Sequence, residues 1–458
     1  MRIIILGAGQ VGESVAEALA SEANDITLVD RDARALADLA DRLDVRTVIG
    51  NGALPSVLKQ AGIDDTELLI AVTQSDQTNL VACKIARSLF NVPTRIARLR
   101  AADFLGAEEL LDDSNFSVSH AICPEQDVTD YIARLIEFPQ ALQVLTFAAG
   151  RVTLVALRAN KDSAWVGHSI RVIRQRLFGA IDARIAAVFR EHRAIPADGD
   201  TLIEAGDEVF LLADSRHIHQ VVRILVPEAK EVRRVMIAGG GNIGLRVANV
   251  LERFHQVKLI EKDRERAEFI AEKMGETLVL TGEATDETLL EEENIDEMDM
   301  FLALTNDDED NIMAASLAKR LGCGRVLALI NRRAYADMVQ GGPIDIGMSP
   351  AQVSIGSLLA HVRRGDVVQV HSLRRGAAEV LELIVRGDKK TSKVVGRRIE
   401  ELPSIGTARI AAVVRGEQVI IPHHDTVIES DDHVVVFCTR KQEVPKVEKL
   451  FAVGFSFF

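Results

Sequence analysis

A chain of 458 residues with 47% hydrophobic content is too long for one core and predicts about three or four domains. Its formal charge of −14 excludes the concentrated basic face that nucleic acid or anionic lipid would need. No apolar run reaches the ~18 residues of a membrane span, and the apolar start Ile3–Leu6 flows into glycines rather than a signal-peptide cleavage site.

In chain order, the strand Arg2–Leu6 runs into Gly7-Ala8-Gly9-Gln10-Val11-Gly12 and a helix. Ile26–Asp30 reads as a second strand ending in a carboxylate, and a short third strand leads to Gly50-Asn51-Gly52. A fourth, Leu68–Thr73, precedes helix Asn79–Leu89, and a fifth, Thr94–Leu99, ends at Arg100. Pro124 opens the next helix, where its missing N–H is no loss. A β-rich block of about 80 residues follows from Gln140–Val144, with Arg184–Val188, Asp200–Glu204 and Glu208–Leu212 marked by alternation and turns.

The set then returns. Arg234–Ala238 runs into Gly239-Gly240-Gly241-Asn242-Ile243-Gly244, with Gly239 lying 232 residues after Gly7. Val257–Glu261, Gly282 and Met300–Thr305 follow, then helix Asn311–Leu321, strand Arg325–Ile330 and Arg332. Thr305 and Asn311 keep the 232-residue offset from Thr73 and Asn79. Pro350 opens a helix, and Gly365–Val370, Arg409–Val413, Asp425–Glu429 and His433–Phe437 repeat the β-rich block. Short continuous apolar strands alternating with helices belong in a parallel sheet covered on both faces. The predicted fold is α/β, a tandem duplication of a Rossmann-like parallel-sheet domain plus a small α+β subdomain. The expected boundaries are 1–123, 140–227, 232–348 and 368–453.

A strand–GxGxxG–helix unit binds a dinucleotide for physical reasons. The first glycine permits a tight turn, the second admits the pyrophosphate, and the third lets helix and strand pack closely. The helix N-terminus then offers unpaired N–H groups to the phosphates. Asp30 and Glu261 end the second strand of each copy, where a carboxylate accepts from ribose hydroxyls and repels a 2′-phosphate. NAD⁺/NADH is therefore expected over the phosphorylated form. Asp32 and Asp263 read as helix caps or solvated acids. Thr73 with Gln74, and Thr305 with Asn306, face the same crevice, as cofactor contacts or as turn chemistry. Arg98, Arg100 and Arg332 end the fifth strand, where each could pair a phosphate or form a surface salt bridge.

Cys83, Cys123, Cys323 and Cys438 are too dispersed for a metal or redox motif and read as buried free thiols. The pairs His217/His219 and His423/His424 read as surface residues, so no metal site is expected. No acid–base constellation, nucleophile elbow or phosphate loop accompanies the glycines, which points to sensing over catalysis. An NAD-dependent oxidoreductase with an unrecognised active site is the alternative.

The glycine loops with Leu28–Asp30 and Ala71–Thr73, and with Leu259–Glu261 and Ala303–Thr305, resemble the RCK/KTN family (regulator of conductance of potassium). Its tandem members are the peripheral NAD-binding subunits of bacterial Trk potassium uptake systems, and the likeness covers essentially the whole chain. The resemblance implies a first site at Gly7–Val11, Asp30, Thr73, Gln74 and Arg98. It implies a second at Gly239–Ile243, Glu261, Thr305 and Asn306, departing where Ile330 stands parallel to Arg98. It further implies NAD⁺ or NADH as ligand, with ATP and ADP as further candidates, and a homo-oligomeric ring, a tetramer of two-unit chains. The ring would dock, peripherally and without inserting, on a membrane potassium-translocating Trk subunit of the TrkH or TrkG type, at the cytoplasmic side of the bacterial inner membrane.

Overall fold

The computed structural model describes residues 1–20, 24–179, 181–191, 193–227, 230–332, 335, 339, 342–362, 366–373 and 378–453. Two compact units divide the chain: one takes Met1–Asp130 with Arg233–Leu358, the other Tyr131–Val232 with Leu359–Phe458.

The first unit holds two six-stranded parallel sheets. Numbered within each block, both have the order 3-2-1-4-5-6. In the first copy Arg2–Leu6 pairs with Asp25–Asp30 on one side and Leu68–Ala71 on the other. In the second, Arg234–Ala238 lies between Gln256–Glu261 and Met300–Ala303. These central strands are buried on both faces, with Ile3, Ile4, Ile5 and Leu6 at 1% exposure or less. That explains their unbroken apolar sequence. Strand order reverses between strands 1 and 4, and such a switch point leaves a crevice at the carboxyl ends of the strands.

Each sheet has one strand more than the five expected. A sixth, His120–Ile122 and then Ile346–Met348, completes each sheet. Three residues are too few to show periodicity, but this strand positions Pro124 and Pro350, which open helices Pro124–Glu137 and Pro350–Val362. Asp32 and Asp263 are the expected caps: Asp32 accepts from the Arg34 and Ala35 N–H groups, and Asp263 from Arg266.

The second unit holds two five-stranded antiparallel sheets. Numbered within each block, the strands of both run 4-3-5-2-1. Arg184–Val188 lies in strand Ala183–Arg190, and its repeat opens Arg409–Arg415. The second small sheet begins at Val367–Leu373, and Gly365 lies outside the described residues. Each small sheet carries a two-pronged ion pair. Arg190 Nε and Nη2 reach Asp207 Oδ1 and Oδ2 at 2.8 and 2.9 Å. Arg415 reaches Asp432 at the same distances, and both carboxylates are fully buried. A fork-to-fork pair of this kind fixes orientation as well as charge.

All four cysteines are buried, and none is in a disulfide. Burial pushes the Cys83 thiol up to about 12 and Cys323 to about 11, so both are inert. His217, His423 and His424 are exposed as expected. His219 is also at the surface, with its side chain 44% exposed, but it is held there: its ring stacks on Phe138 with centroids 4.2 Å apart, and Nε2 meets Glu137 Oε1 at 2.8 Å.

His371 is half-buried, with Phe147 edge-on at 5.2 Å and its Nε2 sealed from solvent without a hydrogen-bond partner among the described residues. Burial, aided by Arg134, pulls its pKa from 6.5 down to about 4. The unfolded chain therefore binds this proton at higher pH than the folded one. The neutral ring's stability is present above pH 6.5 and is lost as pH falls through 4. His371→Leu is expected to narrow the gap in thermal midpoint between pH 7 and pH 4.5. An unchanged gap in calorimetric scans would reject this role.

Candidate functional site

The glycine loops fold as their spacing demands. Gly7 and Gly239 have φ of +108° and +101°, a conformation that L side chains rarely adopt. A Cβ on Gly12 would lie 1.9 Å from the Gly7 carbonyl oxygen, and one on Gly244 would lie 1.9 Å from that of Gly239. Around Gly9 and Gly241 the same test meets nothing within 4 Å. The middle glycines thus leave open space where the outer ones are packed against backbone.

Gly240 differs from its counterpart Ala8. A Cβ there would strike Ile270 Cδ1 at 2.2 Å, so this glycine accommodates the core of its own domain.

Helices Gln10–Ala20 and Asn242–Leu251 begin directly at the loops and point their free N–H groups at the crevice.

One cavity of about 1080 Å³ collects both loops. Of the residues expected at the two sites, all but Gly12, Gly240 and Gly244 line it. Gly12 and Gly244 lie beneath the loop, as their packing role requires. The carboxylates are already engaged with the loop. Asp30 Oδ2 accepts from the Ala8 N–H at 2.6 Å and Oδ1 from Asp32 at 2.9 Å. Glu261 repeats this with Gly240 at 2.8 Å and Asp263 at 3.0 Å. A carboxylate has about four lone-pair sites, so each acid keeps acceptor capacity toward the cavity it lines.

Thr73 and Thr305 line the cavity with their hydroxyls committed elsewhere. Thr73 Oγ1 donates to Asn79 Oδ1 at 2.7 Å, and Thr305 does the same to Asn311. Asn79 Nδ2 donates in turn to the Arg98 carbonyl at 2.8 Å, and Asn311 to the Leu329 carbonyl at 3.0 Å. These fully buried amides lock the ends of strands 4 and 5 together, a role hidden when they were read as markers of the repeat. Gln74 and Asn306, exposed at the same turns, keep free reach into the cavity.

Arg98 is no surface salt bridge. Its Nη2 donates to Glu125 Oε1 at 2.7 Å, Arg100 Nε lies 3.5 Å from the same oxygen, and Glu125 is buried. Among the described residues, the Nε atoms of both arginines are buried without a hydrogen-bond partner, beside a cavity that all three residues line. An anionic ligand could satisfy them. Arg332, by contrast, makes an exposed pair with Glu309 at 2.7 Å.

The residue equivalent to Arg98 is Leu329, which corrects the assignment to Ile330. Ala71 pairs with Ala97 and Ala303 with Ala328, so strand 5 repeats at 231 residues and not 232. The buried amides agree, since they reach Arg98 and Leu329. Ile330 answers to the core residue Leu99, and each donates its N–H to strand 6. The missing residue is lost where the preceding helix ends: it has 15 residues in the first copy and 13 in the second. Across the cavity, Ala351 follows Pro350 as Glu125 follows Pro124. The first copy's ion pair is thus an apolar pair, Leu329 and Ala351, in the second, and both line the cavity.

Among the described residues, no helix is long and apolar enough to cross a membrane, and no group of three or more His, Cys, Asp or Glu could hold a metal ion.

Comparison with known proteins adds the family. The TrkA-N domain matches residues 3–124 and 235–350, and the TrkA-C domain matches 154–226 and 388–452. A Trk system potassium uptake protein TrkA from Halomonas elongata is 53% identical over 458 residues, covering 100% of both chains. The protein of that name from Vibrio alginolyticus is 51% identical, covering 98% of each. Among solved structures, the GsuK RCK domain aligns with TM-score 0.62 at 18% identity, over 98% of this chain and 94% of its own. The GsuK channel bound to NAD aligns with the same score at 19% identity, over 98% of this chain and 79% of its own. At such identity these two share the fold.

Proposed function

This chain belongs to the TrkA family, and from that membership we propose that it is the NAD(H)-binding regulatory subunit of a Trk-type potassium uptake system. The observation that carries the reading is the doubled site. Two glycine loops, each with a strand-end carboxylate and a helix N-terminus, open on one cavity. A single hydride-transfer centre would need one loop and an acid–base partner. Two loops without such a partner suit a device whose output is conformation. ATP and ADP are proposed as competing ligands, since their adenosine half meets the same loop and acid.

The ligand acts by population shift. It moves an assembly only by its differential affinity for two conformations, and turning a 1:99 equilibrium into 99:1 takes about 5.5 kcal/mol. A tetrameric ring, the assembly we propose, would gather that from modest contributions at each of its sites. The ring docks on the cytoplasmic face of a membrane potassium-translocating subunit of the TrkH or TrkG type.

Potassium flux through the co-purified transporter, compared with NAD⁺, NADH, ATP, ADP and no ligand, tests this. Flux indifferent to all four, or stoichiometric hydride turnover by the purified protein, would overturn it. At the residue level, Asp30→Ala is expected to weaken NADH directly at the first site and Glu261→Ala directly at the second, the other site changing only through coupling between them. Each loses a charged hydrogen-bond acceptor worth about 1.5–3 kcal/mol, roughly 10- to 100-fold in affinity. Unchanged stoichiometry and affinity in both variants would sink the site assignment.

A further inference from the structure

We infer that Arg246 couples the two nucleotide sites, so that a ligand at the second loop tightens binding at the first. The inference rests on the nucleotide-binding reading above and concerns a residue outside the cavity lining.

Arg246 lies two residues beyond Gly244, in the first turns of the helix that starts at the second glycine loop. Its guanidinium crosses to the first copy. Nη2 donates to the Arg100 carbonyl oxygen at 2.6 Å, and Nη1 to Gln126 Oε1 at 3.0 Å. Gln126 is braced for this, since its Nε2 donates to Asp130 Oδ1 at 2.8 Å and leaves Oε1 facing Arg246.

The two acceptors sit on the two arms of the first site. Arg100 lies two residues beyond the fifth strand, Thr94–Arg98, and Gln126 follows Glu125 on the Pro124 helix. Those arms carry the Arg98–Glu125 pair, with Arg100 on the same carboxylate. One fork therefore pins both halves of the first site's charged wall to the helix whose N-terminus forms the second site.

A ligand that orders the second loop orders this helix and, through the fork, both arms. The first ligand then loses less conformational freedom on binding, which appears as positive cooperativity. The device is single. Position 14, equivalent to 246, is Ser14, whose short side chain has no such reach. Linkage still makes the effect reciprocal at equilibrium, whichever site fills first.

The test uses the full chain with NADH as probe. First-site affinity is measured by calorimetry with the second site intact and with it disabled by Glu261→Ala. In the wild-type background the second site is expected to improve first-site affinity by at least about 5-fold, the lower end of ordinary coupling. In Arg246→Ala the ratio is expected to fall to one. Arg246→Lys, which keeps charge without the fork, is expected to fall between. Gln126→Ala removes one acceptor from the opposite side and serves if Arg246→Ala does not fold. A purely structural role would move both affinities and the thermal midpoint without touching the ratio. A wild-type ratio of one, or a ratio unchanged in Arg246→Ala and Gln126→Ala, would overturn the coupling while leaving two working sites. Absence of NADH binding at either site would instead remove the reading on which the coupling depends.

Discussion

Gly12→Ala is expected to weaken NADH binding sharply at the first site and leave the second working, and Gly244→Ala to do the reverse. In each case the added Cβ would stand 1.9 Å from a carbonyl oxygen of the loop itself. Backbone must move by more than an ångström, because no side chain is present to swing aside. The carbonyl belongs to Gly7 or Gly239, whose positive φ leaves little room for a compensating turn. The helix therefore backs away from the strand, and its N–H groups no longer converge on one pyrophosphate. Overpacking of this kind costs about 1–3 kcal/mol of stability or more. Loss of the amide cluster weakens binding by ~100-fold or more, about 2.7 kcal/mol. Gly9→Ala is the matched control: its Cβ meets nothing within 4 Å, so stability holds, while the filled space obstructs the ligand. Calorimetric stoichiometry should halve in Gly12→Ala and Gly244→Ala. Two sites of wild-type affinity in either variant would contradict the loop geometry.

Glu125→Ala is expected to cost the first unit about 3–5 kcal/mol, the usual penalty for removing one partner of a buried ion pair. Glu125 is 7% exposed and serves both Arg98 and Arg100. Without it two guanidinium groups remain at the cavity wall with no acid between them. The molecule already contains the remedy, since the second copy has Leu329 and Ala351 at these positions. The double variant Arg98→Leu/Glu125→Ala is therefore expected to recover most of the loss, because well-packed apolar replacements of buried pairs are often neutral or better. The same double variant should bind anions at the first site as the second site does. Thermal unfolding of the three proteins decides the matter, and a double variant no more stable than Glu125→Ala would refute the pair exchange.

What the sequence revealed, it revealed through local chemistry. The glycine loops, Asp30 and Glu261, and the caps Asp32 and Asp263 each depend on neighbours within a strand–turn–helix, so spacing alone exposes them. Glu125 was invisible because its partner Arg98 is 27 residues away across a strand too short to recognise. Arg246 was hidden more deeply, its acceptors lying 120 and 146 residues distant in the other copy. Ile330 was misplaced for a different reason. A constant offset assumes that two copies keep equal helix lengths, and backbone pairing shows that they do not. The threonine hydroxyls illustrate a third limit: an OH at a strand end looks available until the buried amide that claims it is seen.

That shortened helix has a further consequence at its exposed C-terminal end. At its last turn the first copy exposes Leu89 at 61%, while the second ends with Arg320 held by Glu287 at 3.0 Å. The two copies therefore differ twice: at the cavity wall, where Leu329 and Ala351 stand for Arg98 and Glu125, and on this exposed skin. An antibody or cross-linker directed at that skin would find two different proteins in one chain.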